Sequence, residues 1–160
     1  MNSFPSMACD ISTGPNSGNL YVVWSNVGVP GTNTGTNISV YMARSTNGGT
    51  NWSTPIRVNQ NPYTEGKESY FPWICCDPET GVLAAVFYDD RNTTSSSCET
   101  FSAYSADAGV TWFDFLVSDV SFTPSPIPGL ASSYMEIIWV LQPGEEKFIP
   151  AGRIPGVEFL

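Results

Sequence analysis

The densest grouping of chemically active side chains in the sequence is Asp89-Asp90-Arg91, two carboxylates beside a guanidinium. At the end of a strand such a group can orient the hydroxyls of a bound glycan through charge-assisted hydrogen bonds. The same residues can equally form an Asp–Arg pair that ties their own loop down. A second cluster, Glu65, Glu68 and Tyr70 with Tyr63 nearby, offers a Tyr/Glu pairing. Histidine is absent, which removes Ser/His/Asp triads, Cys/His dyads and histidine metal sites in one step. The cysteines are Cys9, Cys75, Cys76 and Cys98. Cys75 and Cys76, as neighbours on a strand, point to opposite faces and are poorly placed to share one metal or to pair. Two readings stay open for the four: buried free thiols, or a disulfide from Cys98 to one of the others. Nothing in these residues calls for a metal or a cofactor.

The chain that must position them has 160 residues, enough for one domain with a sizeable core. Charged residues make up 13% and hydrophobic ones 41%, with 14 Gly and 13 Pro. Low charge with this apolar content is the vocabulary of strands joined by many turns. Fifteen acidic against six basic residues leave a net charge of −9. That argues against nucleic acid, whose binding needs a basic patch, and against anionic membrane surfaces. The longest apolar run, Val82 to Tyr88, is far shorter than the ~20 residues of a membrane helix. Met1-Asn2-Ser3-Phe4-Pro5 has neither a basic start nor an apolar stretch, so no signal peptide is read here.

An internal repeat organises the chain. Ser45, Asn47, Gly49 and Trp52 recur as Ser105, Asp107, Gly109 and Trp112, each 60 positions on. Upstream, Gly18 to Trp24 matches Gly81 to Phe87, and Cys9-Asp10 with Thr13-Gly14 matches Cys76-Asp77 with Thr80-Gly81. Each unit reads as a short strand, an Asp turn, a long apolar strand, a polar loop, a third strand, a tight turn and a last strand. Strands are expected at Leu20–Trp24, Ser39–Ala43, Val82–Tyr88 and Thr111–Val117, with polar loops at Val27–Asn37 and Asn92–Ser97. The strands are almost continuously apolar, as expected of sheets covered on both faces. Four short strands per unit is the signature of a propeller blade.

Ser-x-Asp-x-Gly-x-x-Trp is the Asp-box, and the two copies make this chain resemble the Asp-box (BNR) repeat propellers of the sialidase superfamily. Asn47 departs mildly from the usual Asp, because an amide oxygen also accepts the turn's N–H groups. The resemblance implies an all-β fold: an incomplete propeller of four-stranded antiparallel blades, with Ser45, Asn47, Gly49, Trp52, Ser105, Asp107, Gly109 and Trp112 in structural hairpins. In both hairpins the tryptophan is expected to fold over the turn and bury a large area. Sialidases of this kind use three arginines, an acid/base Asp and a Tyr activated by Glu. Of the arginines here, Arg44 precedes an Asp-box, and Arg153-Ile154-Pro155 follows the boxes rather than opening them. Asp89, Asp90 and Arg91 are left as weak catalytic candidates.

A propeller closes with roughly 4–8 blades, and residues 1–135 supply about two and the start of a third. The expected protein is thus a fragment of a sialidase-like glycoside hydrolase, inactive alone. The alternatives are a non-catalytic glycan- or protein-binding surface propeller and a purely structural one. Carbohydrate is the expected ligand, the expected location is extracellular or cell-surface by resemblance, and uncovered blade faces imply self-association. Residues 136–160 read as an atypical tail, the product of a one-nucleotide frame slip: restoring one G after the Met135 codon permits Met-Gly-Asp-Tyr, as the family commonly continues.

Overall fold

In a computed structural model, the described residues are 4–32, 34–94 and 96–124. They form two four-stranded antiparallel sheets, each a simple meander. The first is built from β1 (Ser6–Cys9), β2 (Leu20–Val29), β3 (Thr34–Ser45) and β4 (Ile56–Arg57), in that order. The second is built from β5 (Ser69–Cys76), β6 (Leu83–Asp89), β7 (Glu99–Ser105) and β8 (Phe113–Leu116). The architecture is all-β, that of two consecutive blades of a partial propeller. The tail 136–160 and the expected slip after Met135 lie outside the described residues.

The repeat is visible in the register. Leu20 pairs with Ser45 in the first sheet, and Leu83 with Ser105 in the second. Between β1 and β2 the Asp10 carboxylate accepts the Ser12 N–H at 2.9 Å. Between β5 and β6 the Asp77 carboxylate accepts the Glu79 and Thr80 N–H groups at 3.0 and 2.7 Å. An acceptor two or three residues ahead of free N–H groups closes a turn without help from the rest of the fold.

The hairpins after β3 and β7 share one hydrogen-bonding scheme. Ser45 Oγ donates to Asn47 Oδ1 and accepts the Gly49 N–H at 2.8 Å, while Asn47 Oδ1 accepts the Asn51 N–H at 2.9 Å. Ser105 Oγ likewise donates to Asp107 and accepts the Gly109 N–H at 2.9 Å. Asp107 Oδ1 accepts the Val110 and Thr111 N–H groups at 3.0 and 2.9 Å, and Oδ2 accepts the Thr111 hydroxyl at 2.6 Å. Partial desolvation opposes ionisation of Asp107, but the hydrogen bonds from Thr111, Ser105 and Val110 outweigh it and bring the carboxyl down to about 2.

The core lies between the sheets. Tyr21, Val23, Val40 and Met42 of the first meet Ile74, Leu83, Ala85, Phe87 and Phe101 of the second. Ala108 and Trp112 bring the second hairpin into the same cluster. Here one expectation is corrected: Trp112 is 4% exposed, but Trp52 is 43% exposed. The two side chains hold equivalent positions in the two repeats. Trp112 is buried because its sheet packs on the first sheet, whereas no second sheet of the described residues lies against Trp52.

A second correction concerns Val27–Asn37. The expected polar loop is a continuation of β2 and β3, which stay paired out to Val29 and Thr34. The register shifts opposite Gly28, whose φ is 71°, because β3 carries the extra residues there, Gly35 to Asn37. A Cβ on Gly28 would sit 2.5 Å from the Thr34 carbonyl oxygen. Thr and Val suit an extended arm exposed on both sides, so a composition that reads as loop pairs as strand.

Gly109 lies at φ 82°, and a Cβ there would fall 2.0 Å from Cε of the buried Met42. Gly48 has open space around it, and its equivalent Ala108 already adopts φ 58°. Gly109→Ala is therefore expected to cost about 2 kcal/mol or more, and Gly48→Ala about 1 kcal/mol or less, as read by urea midpoints. Asp107 makes the second hairpin acid-labile. Its carboxyl is depressed in the folded state, so its contribution is complete above about pH 4, the unfolded value, and is lost as pH falls toward 2. Melting curves between pH 5 and pH 2 are expected to lose part of this slope in Asp107→Asn.

Candidate functional site

In a meander, alternate connections lie at the same end of the sheet. The Asp10, Asp77 and Ser-hairpin turns share one end. The connections β2–β3, β4–β5 and β6–β7 share the other, and there β6 ends in Asp89. The Ser45–Trp52 and Ser105–Trp112 residues thus stand away from Asp89, Asp90 and Arg91.

Asp89 and Arg91 are brought together as a buried pair. Asp89 is fully buried. Arg91 Nε and Nη2 donate to its two oxygens at 2.9 and 2.8 Å, a bidentate contact. Ser69 Oγ and the Arg91 N–H complete the carboxylate's partners at 2.7 and 2.8 Å. Arg91 Nη2 also reaches Asp114 on β8 at 2.6 Å, and the guanidinium carbon lies 4.0 Å from the centre of the Phe101 ring. Burial alone would lower the Arg91 pKa, but its bonds to Asp89 and Asp114 raise it. Asp114 Oδ2 in turn accepts the Gln60 N–H at 2.8 Å, fastening the β4–β5 connection to the second sheet.

Asp90 faces elsewhere. Its carboxylate accepts the Glu68 N–H at 2.7 Å, and its carbonyl accepts Lys67 Nζ at 2.8 Å. Lys67 Nζ also donates to the Thr93 carbonyl at 2.6 Å. Burial, then the nearby Asp90 charge, raises the Glu68 pKa. The rest of the Tyr/Glu cluster is dispersed. Tyr70 stacks edge-on against Phe71 and Tyr88, and burial raises its pKa further above the ordinary phenol value. Tyr63 sits in a short 3-10 turn, its ring centre 5.2 Å from the Arg57 guanidinium.

An open pocket of about 460 Å³ lies at this end, lined by Gln60, Asn61, Pro62, Glu65, Lys67, Arg91 and Asn92. Three carboxamides, a carboxylate, an ammonium and a guanidinium supply both donors and acceptors. Asn92 Nδ2 is steered by Glu99 at 2.9 Å, and Asn61 Oδ1 by Arg57 and Asn59 at 2.9 and 2.6 Å. Of the lining residues the sequence singles out only Glu65 and Arg91. The run Asn59-Gln60-Asn61 after β4 was the missed signal, since the meander places it at the same end as Asp89. Among the described residues no group of three or more His, Cys, Asp or Glu could hold a metal ion. Cys9, Cys75, Cys76 and Cys98 are free thiols, and burial pushes Cys76 up to about 12.

No family model and no curated protein matches the chain. Among solved structures it is similar to the Hadza microbial sialidase Hz136, with a TM-score of 0.43 and 20% identity, over 68% of this chain. The chain spans 22% of that protein's length.

Removing Arg91 would leave Asp89 buried beside Asp114 without its hydrogen-bonded cation. Arg91→Ala is expected to destabilise the fold by about 3–5 kcal/mol. Asp90→Ala, losing a hydrogen bond to one backbone N–H, is expected to cost about 1 kcal/mol. Urea unfolding of the two variants measures the difference.

Proposed function

We propose that this chain is a segment of an Asp-box, sialidase-like glycoside hydrolase propeller, acting at the cell surface or outside the cell. Its part in that protein is to contact glycan, not to cleave it. The observation that carries this reading is the polar pocket between Asn61 and Asn92, whose mixed carboxamide and charged lining suits the hydroxyls of a sugar. Cleavage of the sialidase type asks for a guanidinium free to take a carboxylate and a tyrosine activated by a carboxylate. Arg91 instead gives Nε and Nη2 to Asp89 and shares Nη2 with Asp114, and the ionisation of Tyr70 is opposed by burial. A freestanding glycan-binding surface propeller uses the same pocket, and the same observation favours it.

Saturation-transfer NMR against sialylated and neutral oligosaccharides tests the reading. Binding is expected, with Asn92→Ala weakening it about fivefold, the value of one hydrogen bond. A fluorogenic sialoside is expected to show no turnover by the chain alone. Absence of binding to every glycan removes the pocket from consideration, and hydrolysis would show that cleavage is within the chain's reach.

A further inference from the structure

The pocket between Asn61 and Asn92 is lined by groups whose hydrogen bonds are already partly spent, and what they have left differs from residue to residue. Gln60 Nε2 donates to the Val58 carbonyl and Asn92 Nδ2 to Glu99, both at 2.9 Å, so each of these two carboxamides keeps its oxygen. Asn61 is the reverse. Its Oδ1 is taken by Arg57 and Asn59, which leaves Nδ2 as a donor. Glu65 ends the short 3-10 turn and is exposed; its carboxylate makes no hydrogen bond or ion pair among the described residues.

Donors are scarcer. Lys67 Nζ has given two of its N–H groups to the Asp90 and Thr93 carbonyls. Arg91 keeps only Nη1 outside its bonds to Asp89 and Asp114. Negative charge also prevails here. Three cations bear on the pocket: Lys67 and Arg91 in its lining, and Arg57 on Asn61. Five carboxylates stand against them. Glu65 is in the lining, Asp89 and Asp114 are on Arg91, and Glu99 is on Asn92. Asp90 is the fifth, and its charge, after burial, opposes ionisation of Glu68.

Resting on the glycan reading of this pocket, we infer that it admits uncharged sugars and turns acidic ones away, with Glu65 setting the choice. The hydroxyls of a neutral sugar can donate to Glu65, Gln60 and Asn92 and accept from Asn61 Nδ2. The carboxylate of an acidic sugar can only accept. It would have to draw on Lys67 or Arg91, each beside carboxylates already, and would meet the unpaired charge of Glu65. One such like charge across a solvent-open pocket is worth about fivefold in affinity.

The test titrates the full 160-residue chain and its Glu65→Gln variant, followed by NMR. The ligands are the methyl glycosides of glucose, galactose and mannose and the uronates of the same configuration, which carry a carboxylate in place of the C6 hydroxymethyl. The Glu65 side chain bonds to nothing in the fold, so the variant is expected to keep the spectrum of the folded chain. At low salt the hexose of a binding pair is expected to be held at least about fivefold more tightly than its uronate. That ratio is expected to narrow at high salt, and to fall to about twofold or less in Glu65→Gln through tighter uronate binding. A uronate bound as tightly as its hexose overturns the inference and leaves the pocket a glycan site. A ratio that Glu65→Gln does not change overturns it too. Failure of every sugar to bind removes the glycan reading itself, and this inference with it.

Discussion

Two apolar faces on every sheet are the constraint on which this structure depends. Leu83, Ala85 and Phe87 point one way from β6, while Ala84, Val86 and Tyr88 point the other. Strands of this kind cannot leave one face in water, as an amphipathic antiparallel sheet does. The first sheet buries Tyr21, Val23, Val40 and Met42 only because the second sheet lies on them. The remaining features serve that packing, above all turns tight enough to let the sheets approach.

Glycine does this at the turn end. Gly109 lets the second hairpin settle against Met42, and Gly81, at φ 72°, meets the buried Asp10, whose Oδ2 would lie 2.9 Å from a Cβ. Each contact joins a turn of one repeat to a residue of the other. At the opposite end the joining is electrostatic. Arg91 bridges Asp89 of β6 and Asp114 of β8, and Asp114 holds the Gln60 backbone of the connection between the sheets. A buried ion pair of this geometry adds little net stability but makes any other arrangement of the same groups costly. The pocket walls inherit their positions from it.

Local chemistry was legible in the sequence. The Asp10 and Asp77 turns, the two Ser-x-Asn/Asp-x-Gly-x-x-Trp hairpins and the strands between them follow from side chains that bond backbone groups within four residues. Asp89 and Arg91, two positions apart, were legible as a pair for the same reason. Their third partner was not, because Asp114 arrives on another strand. Nor was the pairing of Val27–Asn37, where threonine and asparagine suit a loop and an exposed two-stranded arm equally well.

Sequence by itself thus determined the repeat, its turns and the alternation of apolar faces, because each rests on contacts between near neighbours in the chain. Tertiary structure alone decided which copy of a repeated residue is buried. Trp52 and Trp112 occupy equivalent places in two like hairpins, yet only Trp112 has a sheet against it. It also decided that Arg91 faces inward to two carboxylates, leaving Gln60, Asn61 and Asn92 to line the pocket with it. Burial is a property of what lies opposite a side chain, and here that surface comes from a different repeat.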